Sequence, residues 1–225
     1  MSRPPRAAEG GLVYHALNRG NARVAIFEED GDYEAFRQVL AEAVARHAMR
    51  LLAYGVMPNH FQLVLWPRAD GDLSAFMRWL TMTHTQHRTA GMGHLYQGRF
   101  KSFPVQDGEH LVTVCRYVER IALKGGLVAR AQDWPWGSLW QHGRGGKTAD
   151  PGCPTLSPWP IERPRRWVAR VNAALRPAEE EAMQRSLQRG QPFGAPEWQA
   201  DIAARLGLES TFRPRGRPRK TENGS

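Results

Sequence analysis

The residues best placed by type and spacing to do chemistry are His60 and Gln62. They belong to Met57-Pro58-Asn59-His60-Phe61-Gln62-Leu63-Val64-Leu65-Trp66-Pro67, in which a Pro-Asn turn releases an extended run. Phe61, Leu63 and Leu65 alternate with His60, Gln62 and Val64, the two-residue period of a strand. Side chains two apart on a strand leave from the same face, so His60 and Gln62 stand side by side near its mouth. That is where a pair of metal ligands would sit. It is equally the polar face of a half-buried strand, and spacing alone favours this plainer reading.

Other polar clusters point towards phosphate. Asn18-Arg19-Gly20-Asn21 is a turn by composition. It closes a short strand, Leu12 to Leu17, and Asn18, Arg19 and Asn21 suit either a phosphate contact or an ordinary surface turn. Arg99 and Lys101 flank Phe100, a pattern that fits backbone tracking plus base stacking. Near the C-terminus Arg213, Arg215, Arg217, Arg219 and Lys220 alternate with Pro or Gly and have nothing apolar to bury, so this tail is expected to be disordered alone. Arg215-Gly216-Arg217-Pro218 resembles the core of an AT-hook, whose arginines enter a narrow minor groove; the alternative is an unspecific electrostatic tail. His84 falls on one helical side with Phe76, Met77 and Leu80; it lies three from His87, and a solvated helix histidine is expected rather than a metal pair.

The elements that must position these residues follow from periodicity. An apolar stripe from Tyr33 to Val44 predicts a core-facing helix capped by Asp30 or Asp32. Leu51–Val56 and the His60 run form an antiparallel pair across Met57-Pro58-Asn59. A second helix opens at Asp72, and Phe103–Gln106 is a short strand whose Pro104 argues for an edge. A third helix runs from Glu109 to about Lys124, stopped by Gly125-Gly126. Its stripe makes Cys115 a core residue, and composition gives no reason to promote Tyr117 above packing. Strand-helix-strand-strand-helix-strand-helix predicts an α+β fold, a ferredoxin-like sandwich with an antiparallel four-stranded sheet and helices on one face. Strands one and three would be central, with the third helix bringing Tyr117 towards His60.

The chain has 225 residues, 41% of them hydrophobic, enough for one cored domain with appendages. We divide it into a basic arm (1–10), the main domain (11–142), a linker (143–160), an accessory helical region (161–207) and the basic tail (208–225). The helices of the accessory region are expected around Trp167–Val171, Ala178–Leu187 and Pro196–Leu206. No run approaches the roughly 18 apolar residues of a membrane span. Cys115 and Cys153 suggest neither a disulfide framework nor zinc, which makes a cytoplasmic protein the default. A formal charge of +9 and a pI near 10.2 favour a nucleic-acid partner over a membrane.

Met57-Pro58-Asn59-His60-Phe61 with Leu63-Val64-Leu65 resembles the signature of the single-tyrosine transposases of the HUH (His-hydrophobe-His) superfamily. Further segments are similar to the branch associated with repetitive extragenic palindromes (REP), the REP-associated tyrosine transposases. These are Tyr14–Asn21, His94–Ser102, Tyr117-Val118-Glu119-Arg120, Trp134–Leu139 and the Arg213–Lys220 tail. The resemblance implies a substrate of single-stranded DNA with palindromic hairpins, and Mg²⁺ or Mn²⁺ held by two histidines and a polar residue one helical turn beyond the tyrosine. It implies Tyr117 as the nucleophile that forms a 5′-phosphotyrosine link, and His60 as the first metal ligand. Gln62 stands where the second histidine is expected, and Ile121 where the third ligand is. The amide is a weaker donor than imidazole, and the alkyl side chain donates nothing. Two readings therefore stay open: a nicking and joining enzyme with a depleted metal site, or a hairpin-binding protein that no longer cuts.

Overall fold

Alternation along four extended runs sorts their side chains onto the two faces of one sheet. The computed structural model describes residues 8–88, 95–143 and 152–213. Strands β1 (Val13–Arg19), β2 (Arg50–Met57), β3 (His60–Trp66) and β4 (Lys101–Val105) form an antiparallel sheet in the order β2-β3-β1-β4. β1 and β3 are central, as the element order predicts. Tyr14, Ala16, Phe61, Leu63 and Leu65 face a core built with helices α1 (Asp30–Arg46) and α2 (Asp72–Arg88). Val13, Val64, Phe103 and Val105 face a second core, built with helix α3 (Glu109–Glu119).

The α+β sandwich read from the sequence is therefore present, with α1 and α2 together on one face. The third helix does not join them: α3 covers the opposite face, where its stripe of Leu111, Val114, Cys115 and Val118 meets the β-strand side chains. A close approach there depends on Gly55 of β2. A Cβ at this position would lie 2.9 Å from the Val118 carbonyl oxygen and 3.0 Å from a methyl of Ile121. The expected single helix is broken at Arg120 into α3 and the four-residue α4 (Ile121–Lys124).

Helices α5 (Ser138–Gly143), α6 (Trp167–Asn172), α7 (Pro177–Arg189) and α8 (Pro196–Leu206) follow, the last three where amphipathic segments were expected. A buried carboxylate ties three of the helices together. Glu119 at the end of α3 accepts from Ser138 Oγ and from Trp167 Nε1, each at 2.6 Å. Arg116 and Arg120 donate to carbonyl oxygens at the end of α6 and just beyond, including Ala174 O at 2.6 Å and Asn172 O at 3.0 Å. Both sheet edges are covered. Phe193 exchanges backbone hydrogen bonds with Pro104 and Gln106 beside β4, while Ser157 N and Trp159 Nε1 donate to Leu51 O and Leu52 O beside β2. Pro104 thus lies in an edge strand, where its missing N–H costs least.

Candidate active site and nucleic-acid interface

Three sequence segments that stand far apart are knitted together at one end of the sheet. Gly20 N donates to Asn59 O at 2.8 Å, Asn21 N to Leu95 O at 3.0 Å and Gln97 N to Arg19 O at 2.9 Å. The end of β1 with Gly20 and Asn21, the Pro58-Asn59 turn and the Leu95–Phe100 loop are thereby one surface. Asn18 and Arg19, expected in a turn, extend the strand instead, paired with Phe61 and His60. Tyr96 anchors the loop from beneath, its hydroxyl 2.6 Å from His84 Nδ1. This corrects the expectation for His84, which is fully buried rather than solvated, while His87 is exposed. An aromatic pocket of Phe27, Phe36 and Tyr96 closes over the His84 ring, on the side of the helix that its spacing with Phe76, Met77 and Leu80 marks out.

On the α3 face, His60 and Gln62 stand side by side as their spacing requires. Asn59 Oδ1 lies 2.7 Å from His60 Nδ1, and an amide oxygen can only accept, so Nδ1 carries the proton and Nε2 is the acceptor. Gln62 Nε2, 3.3 Å from that nitrogen, is then the donor. The Gln62 oxygen is taken up on its other side by His15 Nε2 at 2.8 Å. His15, on β1, is completely buried and stacked on Phe103 at 4.8 Å. Burial lowers the pKa of His15 to about 4, and burial together with Arg19 does the same for His60. The row His15–Gln62–His60–Asn59 is therefore uncharged at neutral pH, with a donor facing an acceptor at each of its three contacts. His15 Nδ1, at its buried end, has no partner among the described residues.

Tyr117 joins the row from α3. Its side chain is buried on the same face of the sheet, and its hydroxyl accepts from Gln184 of α7 at 3.4 Å. Burial and then Glu180 raise its pKa, against hydrogen bonding from Gln184 and Gln62. Ile121 lies where the helical-turn spacing puts it. Its methyl sits over Gly55, the direct β-pair partner of Gln62. Among the described residues no three His, Cys, Asp or Glu side chains converge in a way that could hold a metal ion.

Beside His60 and Gln62 opens a groove of about 810 Å³. Asn18, Arg19, Arg99 and Lys101 line it, together with Arg189 from α7, and among the described residues no carboxylate does. Asn18 is buried, and its Oδ1 accepts from Arg19 N at 3.0 Å, so much of its polar capacity shapes the end of β1. Arg19 Nε donates to Gln97 at 2.5 Å. Asn21 is exposed and lines a neighbouring cavity rather than this groove. Arg213 approaches through its backbone, its carbonyl accepting from Arg189 Nη1 at 2.8 Å. Arg215, Arg217, Arg219 and Lys220 lie outside the described residues. Sequence reasoning passed over His15 as a site residue, although its two-residue spacing with Val13 and Leu17 was a signal that it faces α3. Gln184 and Arg189 carried no such signal, since nothing local says where a remote helix docks.

The cation-lined groove thus opens beside the histidine strand, on a ferredoxin-like scaffold whose α3 face also buries Tyr117. The family model for "Transposase IS200 like" matches residues 9–121, half of the chain, and the protein belongs to that family. Among solved structures, that of a REP-associated tyrosine transposase bound to a REP hairpin superposes with a TM-score of 0.56. It is 18% identical, and the match covers 71% of this chain and 96% of that one. A crystal structure of a protein from Deinococcus radiodurans covers 52% of this chain at 16% identity, with a TM-score of 0.37 that carries no argument. No curated protein matches the sequence. Among the described residues no helix is long and apolar enough to cross a membrane.

Proposed function

We propose that this protein binds hairpin-forming single-stranded DNA in the groove beside His60, and that strand cleavage by Tyr117 is suppressed because the position of a catalytic metal is filled by a neutral hydrogen-bonded row. The observation that carries this reading is the orientation of Gln62. Its carbonyl, the only atom with which an amide can ligate a hard cation, is committed to His15, and its NH₂ faces the free nitrogen of His60. Ile121 supplies a methyl where a third donor would be needed. These residues do not fit a resident Mg²⁺ or Mn²⁺, although the family implies one.

Binding is supported separately. The groove is lined by the cations of Arg19, Arg99, Lys101 and Arg189. The solved relative carries a REP hairpin, and the cations of residues 213–220 follow Arg213, whose backbone is held at the groove by Arg189. Residual nicking through Tyr117 is the second reading. It is favoured by the burial of the Tyr117 side chain on the same face of the sheet as His60 and Gln62.

The test is a filter-binding titration of a DNA hairpin at several salt concentrations, without added metal. Binding should weaken steeply with salt. Removal of residues 214–225 should flatten the slope of log affinity against log salt by about 0.7 to 0.9 for each phosphate that the tail neutralises. A slope that truncation leaves unchanged removes the tail from the interface. No binding at any salt concentration rejects the function.

A further inference from the structure

α2 turns a second face outward that the groove beside His60 does not use. Arg78, Met82 and Thr85 recur along it at helical spacing. Met82 is 56% exposed, which is unusual for a large apolar side chain of this protein. These residues line a cavity of about 1060 Å³ whose far wall is the Leu95–Phe100 loop. The hydroxyls of Thr81 and Thr85 donate back to carbonyls of their own helix, at 2.8 and 2.7 Å. This wall therefore presents methyl groups, the Met82 thioether and the Arg78 guanidinium, with Ser74 and Gln86 as its further polar side chains. Among the described residues no carboxylate lines the cavity. Neither Arg78 nor Arg99 forms an ion pair among the described residues.

The cavity and the groove beside His60 share Asn18, Gln97, Gly98, Arg99 and Phe100. The loop is thus a ridge with a recess on either side, and Arg99 lines both. We infer that the α2-side cavity holds unpaired nucleotides that continue from a hairpin seated beside His60, with a base against Met82 and a phosphate at Arg78. A polyanion crossing the ridge meets guanidiniums that no carboxylate among the described residues competes for, and a thioether packs favourably against an aromatic base. The inference rests on the DNA-binding function proposed above.

Two probes separate the claims: a short DNA hairpin, and the same hairpin with a single-stranded oligothymidylate extension. Wild-type protein should bind the extended probe more tightly. Met82→Ser should cost the extended probe roughly two- to tenfold in affinity and leave the bare hairpin unchanged. Arg78→Gln should lower the salt slope for the extended probe alone, by about 0.7. Equal wild-type affinity for both probes overturns the inference, as do variants that lose both probes alike or neither. A dimer that Met82→Ser converts to monomer would assign this face to self-association and also overturn it. A wild type that binds neither probe rejects the DNA-binding function itself, and this inference with it.

Discussion

The exchange at position 62 acts through hydrogen-bond polarity more than through size. A histidine there would offer one ring nitrogen to a cation. The amide instead brings a donor and an acceptor locked in opposite directions, and the proton on His60 Nδ1 decides which way they point. His84 shows a different use of an uncharged imidazole, since it secures the loop that carries Gln97 and Arg99 through Tyr96. Burial lowers its pKa from 6.5 to about 4, so the folded state favours the neutral ring. The stability this represents is complete above pH 6.5 and is lost as the pH falls towards 4. His84→Gln keeps a partner for Tyr96 and cannot titrate. Urea unfolding of this variant should therefore depend less steeply on pH across that window, the remaining slope coming from residues such as His15 and His60, which shift in the same direction. An unaltered slope would show that His84 does not titrate with unfolding.

Among the elements, α3 decides whether the tyrosine meets the histidine strand, and Glu119 decides where α3 ends. The carboxylate accepts from one donor on α5 and one on α6. Glu119→Ala would leave both donors buried without an acceptor and open a small cavity, at a cost of about 2 to 5 kcal/mol. Glu119→Gln should cost less, because one donor keeps its oxygen. Denaturant midpoints check this order, and equal midpoints for both variants and the parent would contradict it. Much of this scaffold was legible in the sequence. Period-two alternation around Phe61, Pro104 in a short run and the stripes of α1 and α3 pointed to the sheet and its central strands. Periodicity does not encode the face a third helix chooses; here that rests on one missing Cβ, at Gly55. The pairing of His60 with Gln62 was equally legible. The part His15 plays was not, because strand register is set by contacts between remote segments. Nor could the sequence show which end of the Gln62 amide faces His60.

For the molecule as a whole, the proposed function separates holding DNA from cutting it, and assigns the loss of cutting to two side chains. Arg99, Lys101 and Arg189 lie along the groove, away from the Gln62 hub, so changes at the hub should spare binding. Gln62→His frees His60 Nε2 and adds a nitrogen ligand. Ile121→Asn replaces a methyl over Gly55 by a donor. Each alone should help little, because ligands around one metal act as a unit. The decisive measurement is a Mn²⁺ and Mg²⁺ titration of hairpin cleavage by the parent, both single variants and the double variant, with hairpin affinity measured in parallel. The double variant should nick at metal concentrations on the order of 10- to 100-fold below any at which the parent responds. Its protein–DNA adduct should vanish when Tyr117→Phe is added. A double variant that binds the hairpin as tightly as the parent but stays inert at every metal concentration would contradict the proposed origin of the lost cleavage.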